Sequence, residues 1–381
     1  MIKSPLVSII IDNYNYGRFL KAAIDSALNQ TYQPVEVIVV DDGSTDDSPH
    51  IIEQYGQRIT AIIKENEGQA SAFNEGFRVC TGEVIVFLDS DDMLLPTALE
   101  QAVAGFDSAQ VAKVHWPLWR INGEGQRING IEPTHSLAEG NLRDQLVQQG
   151  PAYFCGTLYG SPTSGNAWSR RFLEQVFPLP EAHFKTGGGD FYMFVIAPVY
   201  GQVRRLTEPQ GYYRVHGNND TLKSLEAYMQ LFFGWFDQAS IALRHHLSVT
   251  GIEVDVTTWK RDSWYHKIYT SLQEIDAIVP PKASFMLVDD NNWGTGNLIA
   301  GRHRVQLMEQ NSQYWGPPVD DAMAISEIEN QSKSGVKFFF LTWPTFWWID
   351  HYAKLFRYLT LNYKCVITNE RLIGFDLRQK Q

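Results

Sequence analysis

Five apolar residues, Val84 to Leu88, run without interruption into Asp89-Ser90-Asp91-Asp92. An unbroken run rich in β-branched and aromatic side chains makes a strand covered on both faces, the situation inside a parallel sheet. The pattern recurs along the first quarter of the chain. Leu6 to Ile11 runs into Asp12-Asn13-Tyr14-Asn15, and Val35 to Val40, broken only by Glu36, runs into Asp41-Asp42-Gly43-Ser44-Thr45-Asp46. A shorter run, Ile59 to Ile63, leads into Lys64-Glu65-Asn66-Glu67-Gly68. Between these runs Leu20, Ala23, Ile24, Ala27 and Leu28, and later Ala70, Phe73, Phe77 and Cys80, recur at helical spacing. Ser44 or Thr45 is expected to cap the second helix, with Pro49 in its first turns, and Thr81-Gly82 to stop the third. Strands alternating with such helices imply right-handed parallel crossovers and an α/β, doubly wound sheet.

In a sheet of this kind ligands bind outside the carboxyl ends of the strands, where Asp89, Asp91 and Asp92 fall. Clustered carboxylates are costly without a positive partner, and hard oxygen donors suit Mg2+ or Mn2+ carrying a phosphate. The alternative is a solvated acidic turn before the helix that Pro96 opens. The 381 residues are enough for two to three domains. With 44% hydrophobic residues the chain can bury a core. A formal net charge of −11, with no basic stripe, argues against nucleic acid as a partner. Three well-separated cysteines, Cys80, Cys155 and Cys365, fit a reducing compartment. The start, Met1-Ile2-Lys3-Ser4-Pro5, has no signal-peptide pattern, and the apolar stretch from Val336 to Ile349, interrupted by Pro344, is too short to span a bilayer. A soluble, cytoplasmic protein is expected.

From Val111 to about Thr221 the pattern is less regular, with Ser161-Pro162-Thr163-Ser164-Gly165-Asn166, Gly187-Gly188-Gly189-Asp190 and Tyr212-Tyr213-Arg214-Val215-His216-Gly217-Asn218-Asn219 inside it. Taken together, the motifs between Leu6 and Asn219 resemble a family 2 glycosyltransferase with the GT-A fold. The resemblance rests on Asn13-Tyr14-Asn15, Ser26 to Tyr32, Val39 to Asp46, Asn66-Glu67-Gly68 leading to Asn74, Thr81-Gly82-Glu83 before Asp89-Ser90-Asp91-Asp92, and Tyr213-Arg214-Val215-His216. It implies a GT-A type, mostly parallel sheet and the transfer of a sugar from a nucleotide diphosphate, usually with inversion and a divalent metal. A UDP-sugar donor and a glycan, lipid-linked or small-molecule acceptor are expected.

The resemblance also implies roles. Asp42 would accept from a pyrimidine N–H, with the base stacked near Tyr14; the alternative is an Asp-Gly turn whose carboxylate bonds its own backbone. Asp89 belongs to the metal and ribose motif, with Asp91 or Asp92 nearest the cation, and spacing does not say which carboxylate touches it. Arg214 and His216, two apart, share one face of an extended strand: a guanidinium suits a diphosphate, an imidazole suits the cation. Gly217-Asn218-Asn219 would let this loop close. Asp190 stands where the family places its base, although Gly189 occupies the position of the usual first acidic residue. The other reading of Asp190 is a helix cap. Ser164, Gly165, Asn166 and Trp168 lie where similar enzymes build the acceptor side, and Trp116, Trp119 and Tyr159 either stack on a sugar or pack in the core.

Three segments are expected: a catalytic domain over residues 1–221, a helical connector over 222–282 and a small α/β module over 283–381. In the last, Asp289-Asp290 follows a strand, and Gly294-Thr295-Gly296 lacks the spacing of a phosphate loop. Tyr314-Trp315-Gly316-Pro317-Pro318 and Trp343-Pro344-Thr345-Phe346-Trp347-Trp348 look like packing motifs. A partner surface, an acceptor lobe and a membrane-skimming patch are open for this module; the first is preferred because exposed aromatic clusters mark interaction sites. Two other functions compete. A sugar-nucleotide pyrophosphorylase needs a Gly-rich basic loop after the first strand, where Asp12 to Arg18 stands instead. A catalytically silent binding module would keep the sheet and lose the base or the metal ligands.

Overall fold

The computed structural model describes residues 4–154, 160–185, 187–217, 225–293, 298–310, 313–314 and 316–380. The expectations for Tyr159, Asn218, Asn219, Gly294-Thr295-Gly296 and Trp315 lie outside them. The chain divides into two compact units, Met1–Lys223 with Gln230–Ser263, and Ser224–Met229 with Trp264–Gln381.

The first unit alternates as the apolar periodicity requires: β1 (Val7–Asn13), α1 (Gly17–Leu28), β2 (Val35–Asp41), α2 (Ser48–Glu53), β3 (Thr60–Ile63), α3 (Gln69–Val79) and β4 (Val84–Asp89). It continues through β5 (Met93–Leu94), α4 (Ala98–Gly105), β6 (Val111–His115), β7 (Leu118–Ile121), β8 (Arg127–Glu132), α5 (Arg143–Gln149), β9 (Asn166–Ser169), α6 (Arg170–Val176), α7 (Gly189–Tyr200), β10 (Gln202–Arg205) and β11 (Gly211–Arg214). The order of the main sheet is β10-β6-β9-β4-β1-β2-β3, parallel except for β9, so the chain forms the α/β, mostly parallel sheet expected. Ile9, Ile11, Val39, Val86 and Leu88 pack beneath Leu20, Ala23 and Ile24 of α1 in one buried cluster. The stretch after Val111 is more regular than its composition implied, because its strands are short and several pair in a second sheet, β5-β11-β7-β8.

The cap expected from Ser44 or Thr45 is not made. The residue before α2 is Asp47, without a side-chain cap bond. Ser44 Oγ instead donates to Asp41 Oδ1 (2.6 Å) and accepts from Asn15 N (2.8 Å), tying the turn after β2 to the turn after β1. Helices Leu225–Val249, Val256–Asp262 and Trp264–Ile278 follow. No helix among the described residues is long and apolar enough to cross a membrane.

In the second unit His303–Gln306, Ser284–Val288 and Val336–Thr342 are parallel neighbours, and Leu372–Lys380 runs antiparallel between the last of these and Tyr363–Thr368. The continuous aromatic helix expected from Phe346 to Tyr358 is two pieces, Trp348–His351 and Ala353–Asn362. The aromatic cluster read as exposed is largely interior: Trp348 is 1% exposed and joins the core with Phe339 and Leu355, whereas Trp347 is 44% exposed.

Candidate active site

At the end of β4 a tight turn, closed by Asp92 N donating to Asp89 O (3.0 Å), folds three carboxylates together. Oxygens of Asp89, Asp91 and Asp92 lie within 4.8 Å of one another. Asp92 is 1% exposed; its Oδ1 accepts from Arg214 N (2.9 Å), while Oδ2 is buried with no hydrogen-bond partner among the described residues. His216 Nε2 sits 2.9 Å from Asp91 Oδ2, its ring held between Tyr16 and Phe19. Burial, and then the neighbouring carboxylates, push the Asp89 and Asp92 carboxyls well above the usual range. Three carboxylates and an imidazole, with a buried oxygen left unpaired, fit a hard divalent cation.

Arg214, the residue expected to face a diphosphate, stands beside the acidic turn. Its Nε donates to Asp91 O (2.7 Å) and its Nη1 to Asn122 O and Gly123 O (both 3.3 Å), over the face of Phe19. Because β11 ends beside the acidic turn, the guanidinium meets main-chain carbonyls first, and it braces the segment that carries Asp91.

Asp12 belongs to the same crevice and received no role from the sequence. Register pairs it with Asp89 across β1 and β4, and Gln69 Nε2 stands 3.4 Å from a carboxylate oxygen of each. Burial, with smaller contributions from Asp91 and Asp190, pushes its carboxyl up to about 7. Its place at the end of the apolar run Leu6 to Ile11 was the available signal.

Asp190 enters from the other side, in the first turn of α7 behind Gly188 in the left-handed region (φ 85). Its Oδ1 accepts from Phe191 N (2.7 Å) and Oδ2 from Thr163 Oγ1 (3.3 Å). Its charge acts on both Asp12 and Asp89. Burial raises its carboxyl, opposed by the Phe191 N–H, the Thr163 hydroxyl and Lys113. The missing acidic neighbour has a packing reason: a Cβ at buried Gly189 would lie 3.3 Å from Phe73 and 3.4 Å from Leu179, an apolar corner in which a carboxylate would be desolvated.

Tyr14 is 47% exposed on the turn after β1. Asp42, 3% exposed, accepts on Oδ1 from Lys64 Nζ (2.8 Å) and Glu67 N (3.0 Å) and on Oδ2 from Gly68 N (2.7 Å), so it organises the turn before α3. That turn is in turn fastened to the segment before Asp190: Gln69 N donates to Lys185 O (3.3 Å) and Ala70 N to Phe184 O (3.4 Å). Gly68 has φ 98, and a Cβ there would fall 2.4 Å from Lys185 Cα and O. Gly68→Ala is therefore expected to cost about 3 kcal/mol or more, read as a lower denaturant midpoint at unchanged slope.

On the side read as acceptor-facing, Ser164 and Asn166 are fully buried. Ser164 Oγ accepts from Asp89 N (3.2 Å), and Asn166 Nδ2 donates to the carbonyls of Ser161, Pro162 and Thr163. They form a structural turn, and Trp116 and Trp168 are core. Trp119 is half-buried, with the Arg127 guanidinium 3.4 Å from its ring centroid.

Comparison with known proteins gives the same direction. The profile of Glycosyl transferase family 2 matches residues 8–197. An uncharacterized glycosyltransferase of Nostoc sp. is 36% identical over 225 residues, covering 58% of this chain and 68% of the relative. Chondroitin synthase of Escherichia coli is 40% identical over 230 residues, 58% of this chain and 31% of that protein. Among solved structures, S. aureus TarS 1–349 aligns over 71% of this chain and 74% of its own, at 16% identity and a TM-score of 0.47. The chain thus spans two thirds of the first of these relatives and under a third of the second.

Proposed function

Since the chain belongs to glycosyltransferase family 2, we propose that it moves a sugar from a nucleotide diphosphate, a UDP-sugar, onto a hydroxyl of a glycan or lipid-linked acceptor. In this reading transfer inverts the anomeric centre, and Asp89, Asp91, Asp92 and His216 are the residues that would hold Mn2+ or Mg2+. The observation that carries this reading is that two carboxylate groups of different origin share one turn: Thr163 Oγ1 donates to Asp190 of α7 (3.3 Å), and its neighbour Ser164 accepts from Asp89 N of the acidic turn after β4 (3.2 Å). The glycan acceptor is supported by the relative named a chondroitin synthase.

In this reading Asp190 accepts the proton of the acceptor hydroxyl as its oxygen bonds to the anomeric carbon, on the face opposite the diphosphate. The bond from that carbon to the phosphate oxygen breaks, and its electron pair leaves with the nucleotide diphosphate. A bound cation supplies Lewis-acid stabilisation of that leaving group. Thr163 and the Phe191 N–H fix the Asp190 carboxylate, while Arg214 steadies the turn bearing Asp91. The exposed ring of Tyr14 offers a face for the nucleotide base, next in the chain to Asn13, whose carbonyl accepts from Asp42 N (2.8 Å).

The test is a thermal-shift screen of UDP-, GDP- and dTDP-sugars with Mn2+ or EDTA, followed by assay of released nucleotide. A UDP-sugar with Mn2+ at a hundred times its Kd is expected to stabilise by about 2.7 kcal/mol, a rise of a few degrees. Equal stabilisation in EDTA would remove the cation from the reading. Binding without any nucleotide release, with or without acceptor, would favour the silent module.

A further inference from the structure

β6 carries a lysine where an interior strand otherwise holds apolar side chains. Lys113 is 2% exposed between Ala112 and Val114, both fully buried. Its Nζ lies 3.7 Å from the ring centroid of Phe194 and 5.1 Å from that of Trp168. Phe194 follows Asp190 by four residues on α7, so the two side chains share the helix face that packs on β6. The π-faces solvate an ammonium only in part, and an interior charge is retained at a cost unless a partner offsets it. The charge acting on Lys113 is that of Asp190. Lys113 in turn lowers Asp190, whose own charge raises Asp12 of β1 and Asp89 of β4. His115, on the same strand, is held neutral by burial, with Nε2 2.7 Å from Ala138 O. The uncharged Thr163 hydroxyl completes the surroundings of the carboxylate.

We infer that Lys113 is a positioning residue for transfer: an interior cation whose field keeps Asp190 a carboxylate, able to take the acceptor proton despite the negative ends of β1 and β4. The inference rests on the reading of Asp190 as the base. Burial pulls the Lys113 ammonium well down and Asp190 up, and each charge opposes the shift of the other, so the titrations of the two are coupled.

The experiment compares the pH profile of kcat/KM for the wild type and Lys113→Met, a change close in length and volume. The acid limb is expected to move up by about one unit, in the range for one nearby charge. On the limb the variant is then about tenfold slower, and on the alkaline plateau it matches the wild type. An unmoved limb, or an equal loss at every pH, overturns the inference and leaves Lys113 a packing group. Should Lys113→Met fail to fold, the Lys113 side chain is followed by NMR of isotope-labelled lysine in the wild type and in Asp190→Asn. Its midpoint is expected to fall by about one unit when the carboxylate is removed, since the coupling is reciprocal; an unchanged midpoint overturns the inference. This readout needs no turnover. If the midpoint falls while Asp190→Asn still transfers sugar, the base assignment fails and takes the positioning role with it.

Discussion

Asp190→Asn is expected to bind UDP-sugar and Mn2+ like the wild type and to lose transfer by about a thousandfold, within the range for a positioned general base. The amide keeps the size of the side chain: its oxygen can still accept from Phe191 N, and its NH2 can donate to Thr163 Oγ1 once that hydroxyl turns to accept, so the first turn of α7 is preserved. What it cannot do is take a proton. Calorimetry with donor and metal, run beside a turnover assay, separates the two effects, and turnover within tenfold of the wild type would place the base elsewhere. The pH profile supplies a second check. Burial raises the Asp190 carboxyl above its ordinary value, and a base works in its ionised form. Wild-type kcat/KM should therefore fall as pH drops through that raised value, from a plateau on the alkaline side, and this limb should be missing from the residual activity of Asp190→Asn.

Asp91→Ala is expected to abolish metal-dependent donor binding. Asp91 provides an oxygen of the three-carboxylate cluster and is the partner of His216 Nε2 at 2.9 Å, so its loss removes one ligand and unfixes another. A change in affinity of at least a hundredfold is anticipated, at or beyond the upper end of what loss of an outer-shell partner costs. In EDTA, where the cation plays no part, variant and wild type should bind UDP alike. The change also removes the carboxylate 2.9 Å from the buried His216 Nε2, so binding is measured well below the melting temperature. Unaltered Mn2+-dependent affinity would take Asp91 out of the metal site.

Much of this arrangement was legible in the sequence because it depends on strand ends. A buried strand announces itself by an apolar run, and the residue where the run stops lies at the ligand-binding edge, as with Val84 to Leu88 and Asp89. Lateral register leaves no such local mark. Asp12 stands opposite Asp89 only because β1 and β4 pair as they do. Lys113 was hidden in a stretch taken as irregular, and its significance comes from a helix that begins 76 residues later in the chain, at Gly189. The partners of Arg214 are main-chain carbonyls, which any sequence could supply. The expected cap at Ser44 failed for a similar reason: its hydroxyl had a better partner across the turn in Asp41.

The contact of Gly68 with the backbone of Lys185 has a practical corollary for anyone redesigning substrate choice. A graft that swaps only the segment around Asp42 to alter the preferred nucleobase would shift the anchor of the peptide leading to Asp190, so catalytic rate and nucleobase preference would change together. Chimaeras between homologues should exchange both stretches as a matched set.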